Sequence, residues 1–229
     1  MLSFIIIIVL SYLLGSIPTS VWVGKIYKGI DIREHGSGNP GATNTFRMLG
    51  WKAGVVVAII DLSKGFVAAY FISQIGYHFG DLPMQYGVWH TDIFMRIVAG
   101  VSAVIGHMFP LYANFKGGKG VITAAGMLYG IEPISISVVL VIFLIVLISF
   151  RYVSLASIVA SFCYPLVVLL MKYQFGFRID GSHIIFASLV ALAIIIKHIP
   201  NIKRLFNGNE NRIRSFKPAK GRLNKEQTT

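Results

Sequence analysis

Repeated long apolar runs are the feature of this chain that most restricts its fold. They extend from residue 2 to about 23 and then over roughly 53–76, 93–112, 121–132, 134–150, 152–171 and 183–199. In lipid such runs must be helices, because only a helix satisfies its own backbone hydrogen bonds without water or a partner strand. With 55% hydrophobic and 13% charged residues, the sequence predicts an all-α, polytopic integral membrane protein.

The placement of basic residues predicts the orientation of these helices. The first run has no basic segment before it and no small-residue cleavage site, so it differs from a secretory signal peptide. Basic residues instead follow it, at Lys25, Lys28, Arg33, Arg47 and Lys52. By the positive-inside rule we expect the N-terminus outside and the loop 25–52 in the cytoplasm. The loop 77–92, with Asp81 and Asp92 but no Lys or Arg, suits the external side.

The number of spans depends on the region 121–150, which is one long helix or two helices broken at Glu132 and Pro133. Two helices put the basic C-terminal tail in the cytoplasm, as the charge rule favours. Residues 121–132 then form only about 18 Å of helix, short of the ~30 Å hydrocarbon layer. We predict seven transmembrane helices, with five as the alternative, in one domain over 1–208 followed by a basic, disordered tail over 209–229. Glycines near span ends predict close helix contacts, at Gly100, Gly106, Gly126 and Gly130.

Charge and cysteine content exclude several functions. The net charge of +12 resides in loops and in the tail, where basic residues meet anionic lipid headgroups, and no nucleic-acid reader motif is present. The only cysteine, Cys163, lies in an apolar run, so neither a disulfide framework nor a thiolate metal site is expected. The six histidines are scattered, with no His-Glu-x-x-His pattern, and we predict no metal and no nucleic-acid partner.

Three polar cassettes interrupt the apolar runs. They are GSGNPGATNTFR over 36–47, GHMFPLYANFKGGKG over 106–120 and KHIPNIKRLFNG over 197–208. The predicted topology puts all three on one face of the membrane. Together they would form a cationic, amide-rich pocket suited to phosphate.

The first cassette contains G-x-G-x-x-G, with Asp61 at the distance that a dinucleotide fingerprint requires. That fingerprint needs a preceding strand in a soluble βαβ unit, whereas this one follows an apolar span, so we predict no dinucleotide cofactor. Glycines still let backbone N–H groups turn toward an anion, and polar side chains add donors. The candidates are Ser37, Gly38, Asn39, Asn44 and Arg47, and a flexible polar loop is the alternative interpretation.

The second and third cassettes add cations and a histidine. The run over 116–120 is not a Walker A motif, because Ala113 occupies the position of its first glycine and Gly120 that of its Ser or Thr. The candidates here are His107, Gly117, Gly118, Lys119 and Gly120, and His107 is equally well a helix-packing residue. In the third cassette Pro200 ends or bends the last helix. His198 and Asn201 are three apart on one helical face, where a histidine can act as a base near neutral pH.

Two ionisable residues, Asp61 and Lys64, lie three apart inside the second apolar run. Such groups are costly in a membrane and are usually paired. A structural ion pair and a role at the floor of the site both remain open.

These residues carry a resemblance to a known family. The segments DIREHGSGNPGATNTFR, IGHMFPLYANFKGGKG and KHIPNIKRLFNG, in that order and spacing, resemble the signature blocks of the bacterial acyl-phosphate:glycerol-3-phosphate acyltransferases. The resemblance covers nearly the whole chain. It implies a plasma-membrane enzyme that transfers a fatty acyl group from acyl phosphate to the 1-hydroxyl of glycerol 3-phosphate in the cytoplasmic leaflet. The products would be lysophosphatidic acid and phosphate, and no cofactor is implied.

The resemblance also implies roles for the site residues. Ser37, Arg47 and Lys119 would hold the transferring phosphate or polarise the acyl carbonyl, and His198 and Asn201 would bind glycerol 3-phosphate. Backbone or amide donors would come from Gly38, Asn39, Gly117, Gly118 and Gly120. The proton acceptor is either His198 or the departing phosphate, and an acyl-enzyme on Ser37 is the least favoured route. The other glycerolipid acyltransferases carry a His-x4-Asp pair, and none of the six histidines here has Asp five residues later.

Two other classes use similar features. Several spans with cationic loops also suit a transporter of a phosphorylated metabolite, although a carrier needs polar contacts near the membrane midplane and these cassettes are concentrated at one face. A membrane phosphatase would use much of the same pocket. Membrane lipid is an expected partner, and the sequence is compatible with a monomer without setting the oligomeric state.

Overall fold

The computed structural model describes residues 2–76, 85–86 and 89–213. The expected external loop around Asp81 and most of the C-terminal tail lie outside these residues. Within them the regular structure is helical apart from a hairpin of two short strands, β1 (Gln85–Tyr86) and β2 (Trp89–His90), in which Gln85 is opposite His90. The ten α-helices of the described residues are α1 (Leu2–Gly15), α2 (Thr19–Lys28), α3 (Ala42–Leu49), α4 (Trp51–Tyr70), α5 (Thr91–Met108), α6 (Val121–Ile131), α7 (Pro133–Phe150), α8 (Val153–Tyr173), α9 (Gly181–Lys197) and α10 (Ile199–Phe206).

Several helical segments are long and apolar enough to cross a membrane. In the described part of the chain five qualify, namely Leu2–Lys28, Trp51–Gln74, Thr91–Ala113, Pro133–Phe150 and Val153–Tyr173. Helices α9 and α10 meet at a bend of 57° and make a sixth if they are taken as one span. Helix α6 is apolar but has only 11 residues, about 16 Å at 1.5 Å per residue. The fold is therefore that of a multi-pass, all-helical membrane protein.

Local sequence explains where the helices break. Between α6 and α7 the Glu132 carboxylate accepts hydrogen bonds from the backbone N–H groups of Ile134 and Ser135, at 2.9 and 2.8 Å, and Pro133 opens α7. An N-cap followed by proline is a strong start signal, so the break expected at 132 and 133 is present. The first apolar run, expected to be continuous to about residue 23, is interrupted between Gly15 and Thr19, because Pro18 cannot donate to the preceding turn.

Helix α4 is in the centre of the first group of helices and packs most extensively against α6. The contact depends on glycines from both sides: a Cβ on Gly65 would overlap the carbonyl of Thr123, and one on Gly126 would overlap the carbonyl of Leu62. Lipid provides no hydrophobic force between helices, so close backbone approach supplies the attraction. The close contact predicted for Gly126 is confirmed.

A second glycine contact joins α1 to α5. A Cβ on Gly15 would overlap the backbone of Ala103, and one on Gly106 would overlap the carbonyl of Tyr12. Gly106 therefore also serves close helix packing, as predicted. Helices α1, α4, α5 and α6 form one group, and α7, α8 and α9 pack in sequence as a second.

The two groups meet along a seam. In the core of this seam, Met127 and Leu128 of α6 pack in one cluster with Ile136 and Val139 of α7 and with buried side chains of α8 and α9. Two large cavities lie along this seam, one polar and one apolar, lined from both groups. The helical arrangement thus leaves space between the two groups.

We predict that Gly126→Ala lowers the free energy of unfolding by about 1–3 kcal/mol, because the added methyl group forces α6 away from the backbone of α4. Thermal unfolding of the purified protein in detergent measures the effect. Gly181→Ala is the control, since a Cβ there meets nothing within 4 Å. Equal unfolding midpoints for the two variants would contradict the packing argument.

Candidate active site

The first cassette forms a loop that Asn44 holds in place. Asn44 is buried on α3, and its Oδ1 accepts a hydrogen bond from the Ser37 N–H at 3.0 Å. Its Nδ2 donates to the carbonyls of Ile32 and His35 at 3.1 and 2.9 Å. The amide group of Asn44 is therefore engaged with the loop backbone. Ser37 and Asn39 line the neighbouring cavity.

The second cassette folds back on the end of α5. The N–H groups of Gly117 and Gly118 donate to the carbonyls of Met108 and His107, both at 3.2 Å. A Cβ on Gly118 would overlap the His107 ring and approach the Pro40 carbonyl at 2.8 Å. These glycines therefore bring the second cassette against α5 and the first cassette. Their N–H groups are used within the protein, and so is that of Gly38, which donates to His35 at 3.1 Å.

Arg33 links the segment just before the first cassette to the second cassette. Its guanidinium contacts the Asp31 carboxylate at 2.6 Å and donates to the carbonyl of Ala113 at 3.0 Å. The hydrogen-bonded Arg33 lowers the pKa of Asp31, so this pair stays charged at neutral pH. These contacts join the segment just before the first cassette to the second cassette.

Lys119 connects the second cassette to the third. Its Nζ donates to Oδ1 of Asn201, and Nδ2 of Asn201 donates to Oε1 of Glu210 at 3.1 Å. The other carboxylate oxygen of Glu210 accepts from Nε of Arg204 at 2.8 Å. Four side chains from two cassettes and from the segment after α10 thus form one hydrogen-bonded chain.

The electrostatics around Lys119 favour an anion. Burial lowers the pKa of Lys119, the nearby Arg204 lowers it further, and Glu210 acts in the opposite direction. A bound phosphate would add negative charge beside the ammonium group and favour its protonated form. The charge of Lys119 and the binding of an anion therefore reinforce each other.

His198 occupies the bend between α9 and α10. Its Nδ1 lies 2.8 Å from the carbonyl oxygen of Ile194. A carbonyl only accepts hydrogen bonds, so Nδ1 carries a proton, and in the neutral ring Nε2 keeps its lone pair. The geometry prepares Nε2 to accept a proton or a hydrogen bond.

The polar cavity brings most of the predicted residues together. Its volume is about 450 Å³. Of the predicted residues it is lined by Ser37, Asn39, Asn44, Arg47, His107, Lys119, Gly120, His198 and Asn201. Gly38 and Gly117 instead line a separate polar cavity beside Asp31 and Arg33, and Gly117 and Gly118 line a small one beneath the cassettes.

Sequence reasoning missed several residues of the cavity, among them Arg204, Ser154 and Glu210. Ser154, at the start of α8, is buried, and its Oγ has no hydrogen-bond partner among the described residues. Glu210 lies beyond residue 208, where we expected the folded domain to end, yet its side chain is only 7% exposed. Ile213 also donates to the Arg151 carbonyl, at 2.8 Å. A polar sequence after the last apolar helix gives no local signal that it folds back.

A buried ion pair supports the site from below. Asp61 and Lys64 are each 2% exposed and contact each other at 2.7 Å. Asp61 also accepts from the Thr19 hydroxyl at 2.9 Å, and Lys64 donates to the Ile17 carbonyl. Nδ1 of His107 lies 3.7 Å from Asp61. The predicted structural ion pair is confirmed. Asp61 and His107 also line the polar cavity, and a role at the floor of the site stays a prediction.

An apolar cavity of about 400 Å³ adjoins the polar one along the seam. The two cavities share the lining residues Val121, Ile122, Phe143 and Ser157. The site therefore combines a cationic end with an apolar groove between helices, as an amphiphilic ligand with an anionic head requires. In the parts of the chain that the structure describes, no three His, Cys, Asp or Glu side chains come together as metal ligands would.

Fold and site define the class: a multi-pass helical membrane protein with a cationic pocket continuous with an apolar groove. The sequence profile of the glycerol-3-phosphate acyltransferases matches residues 5–208. A glycerol-3-phosphate acyltransferase of Salinibacter ruber is 46% identical over 225 residues, covering 97% of this chain and 98% of the relative. That of Chlorobaculum tepidum is 48% identical over 229 residues, covering 93% and 97%. This chain belongs to the glycerol-3-phosphate acyltransferase family, which confirms the resemblance drawn from the three cassettes.

Solved structures agree. The crystal structure of PlsY (YgiH), an integral membrane glycerol 3-phosphate acyltransferase, in its glycerol 3-phosphate form has a TM-score of 0.72 at 35% identity. It covers 92% of this chain and 95% of its own, and the lysophosphatidic acid form of the same protein matches equally well.

We predict that Asp61→Asn destabilises the protein by about 3–5 kcal/mol, because Lys64 is left as a buried charge without its carboxylate. Thermal unfolding in detergent measures the loss. The double variant Asp61→Leu with Lys64→Met is the matched control, since it removes both charges and should recover much of the stability. A double variant as unstable as the single one would show that the charge balance of the pair is not what matters.

Proposed function

We propose that this protein transfers a fatty acyl group from acyl phosphate to the 1-hydroxyl of glycerol 3-phosphate, releasing lysophosphatidic acid and phosphate. One observation carries the proposal: a cavity lined by Arg47, Lys119 and Arg204 opens into an apolar groove through four shared residues. An acyl phosphate has the matching shape, with an anionic head and a long apolar tail. The relatives solved in glycerol 3-phosphate and lysophosphatidic acid forms support the acceptor and the product.

The chemistry needs positioning more than a strong nucleophile. An acyl phosphate is a mixed anhydride and is already activated, so a cationic site that aligns the acceptor hydroxyl and stabilises the developing oxyanion suffices. In our proposal Arg47 and Lys119 hold phosphate and oxyanion, with the Ser37 hydroxyl and the Asn39 amide as further donors. The unpartnered hydroxyl of Ser154 is a further candidate donor.

The glycine-rich loops act indirectly in this proposal. The N–H groups of Gly38, Gly117 and Gly118 already bond within the protein, so these residues position the cassettes instead of donating to substrate. Asn44 does the same for the first cassette. Gly120, which lines the cavity at a φ of 78°, turns the chain from Lys119 into α6.

His198 and Asn201 bind glycerol 3-phosphate in this proposal. The Nε2 lone pair makes His198 a possible acceptor of the hydroxyl proton, and the departing phosphate is the other acceptor. Both routes use the same residues and differ only in where the proton goes. An acyl-enzyme on Ser37 has no support from a neighbouring base among the hydrogen bonds of the described residues.

We further propose seven spans, with the N-terminus outside the bacterial plasma membrane and the site and C-terminus in the cytoplasm. Ser154, just after α7, lines the same polar cavity as Lys119, just before α6. A chain that leaves the polar face at Lys119 and returns to it through α7 must cross and come back, so α6 counts as a short span. The positive-inside rule then assigns the polar face to the cytoplasm.

We expect the purified protein to form lysophosphatidic acid from labelled glycerol 3-phosphate with palmitoyl phosphate, and not with acyl-coenzyme A or acyl carrier protein. Lys119→Ala and Arg47→Ala should each lower the rate by about 10²-fold or more, as expected for loss of an oxyanion or phosphate donor. Lys203→Ala, an exposed lysine on α10 outside the cavity, is the control and should keep wild-type activity. Wild-type rates in the Lys119 and Arg47 variants would disprove the site assignment.

The reaction products distinguish an acyltransferase from a phosphatase and from a transporter. Phosphate release from acyl phosphate without glycerol 3-phosphate would identify a phosphatase. Uptake of labelled glycerol 3-phosphate into reconstituted vesicles, with no lipid product from any donor, would identify a transporter.

Cysteine labelling tests the topology. In a Cys163→Ala background, Phe175→Cys should react with an impermeant maleimide in intact cells, whereas Asn209→Cys should react only after permeabilisation. Both positions are exposed, so accessibility in the folded protein does not confuse the result. Labelling of both from the same side would contradict the seven-span arrangement.

A further inference from the structure

The apolar cavity ends at a buried pair of aromatic side chains. Tyr164 of α8 lines the cavity, and its hydroxyl lies 2.9 Å from Nε2 of His183 on α9. Both residues are 2% exposed, and the two rings meet edge to face at 85°. His183 itself is outside the cavity lining, and its ring also lies near that of Phe186, with centroids 6.2 Å apart. The tyrosine ring is therefore held from behind by a partner that the cavity does not reach.

The lining residues on two antiparallel helices, α7 and α8, indicate the same depth for this cavity. On α8 the lining runs from Ser157, at the junction with the polar cavity, through Ala160 and Ser161 to Tyr164. On α7 it runs from Phe143, also at the junction, back to Ile136. Each interval is seven residues, which is about 10 Å at 1.5 Å per residue.

Helix α6 confirms the direction of the groove. Its lining begins at the junction with Val121 and Ile122 and ends with Leu128 and Tyr129. The groove thus begins at the polar site and ends, on three helices, at the level of Tyr164.

We propose that Tyr164, positioned by His183, is the floor of the acyl-chain groove and sets the longest acyl chain that the enzyme transfers efficiently. The inference rests on the proposed function, since it takes the acyl tail of the acyl phosphate as the occupant. The occupant is argued from continuity: the groove opens into the cationic cavity through shared residues, so a tail attached to a bound phosphate must enter it there.

A floor at Tyr164 should be visible in how kcat/KM depends on the length of the acyl chain. A chain that fits gains packing contacts with the groove walls for each methylene that enters, while the hydrophobic term cancels because the tail comes from lipid or detergent. A longer chain gains nothing beyond the floor and must bend, which costs binding. The rate constant kcat/KM should therefore rise with chain length up to a limit and then fall or level off.

An open side of the groove is the competing arrangement. Ile59 of α4 and Leu140 of α7 both line the groove and are 60% and 48% exposed. A tail that leaves the groove between them would extend into lipid and never reach Tyr164. Chain-length preference would then be independent of the floor.

Four variants on α8 test the proposal. Tyr164→Ala lowers the floor and should move the preferred chain to longer acyl phosphates by about two to four carbons, since loss of the ring extends the groove by roughly that length of chain. Ala160→Leu raises the floor one turn nearer the junction and should move the preference to shorter chains. Tyr164→Phe keeps the ring and should keep the wild-type preference. Leu166→Ala, on the exposed side of the helix, is the control.

The measurement is kcat/KM for acyl phosphates of 6 to 18 carbons, a design choice that includes chains shorter and longer than about 10 Å of groove, together with KM for glycerol 3-phosphate, which should not change. Opposite shifts in Tyr164→Ala and Ala160→Leu support the proposal. The proposal is overturned if the Ala160→Leu protein is active and has the same chain-length preference as the wild type. Because Ala160→Leu keeps the tyrosine–histidine pair, the test does not depend on whether Tyr164→Ala folds. A wild-type protein that forms no lysophosphatidic acid from any acyl phosphate would instead overturn the proposed function itself.

Discussion

The buried ion pair of Asp61 and Lys64 organises the polar end of the molecule. An unpaired charge inside an apolar helix is costly, so each side chain needs partners close at hand. Thr19 and the Ile17 carbonyl supply them from the break between α1 and α2, and His107 approaches from the end of α5. The contacts of this one charged pair thereby join α2, α4 and α5 close to the cassettes.

The second cassette packs next to this pair and contacts both the first and the third cassette. His107 packs under Gly118, whose lack of a side chain lets the second cassette touch the first at Pro40. Lys119 follows at once and contacts the third cassette through Asn201. The glycines act mainly through packing, and the cations and hydroxyls face the cavity. Loop position and ligand binding are therefore carried by different residues of the same short motifs.

Glycine contacts divide the helices into two groups and so create the space for substrate. Gly65 and Gly126 bring α4 and α6 together at the backbone, whereas α7, α8 and α9 pack as a separate group. The seam between the groups holds a polar cavity beside the cassettes and an apolar groove deeper in the bundle. An amphiphilic substrate can thus have its head at the polar face while its tail lies between helices.

The sequence by itself determined the class of fold, the helix break at Glu132 and Pro133, the three cassettes and the family, because apolar length, proline, glycine and charge are local signals. Only the tertiary structure decided which polar groups remain available. It engages the N–H groups of Gly117 and Gly118 within the protein, and it brings Ser154 and Glu210 into the cavity. Those outcomes depend on contacts between residues far apart in the chain, on which hydropathy and motif spacing carry no information.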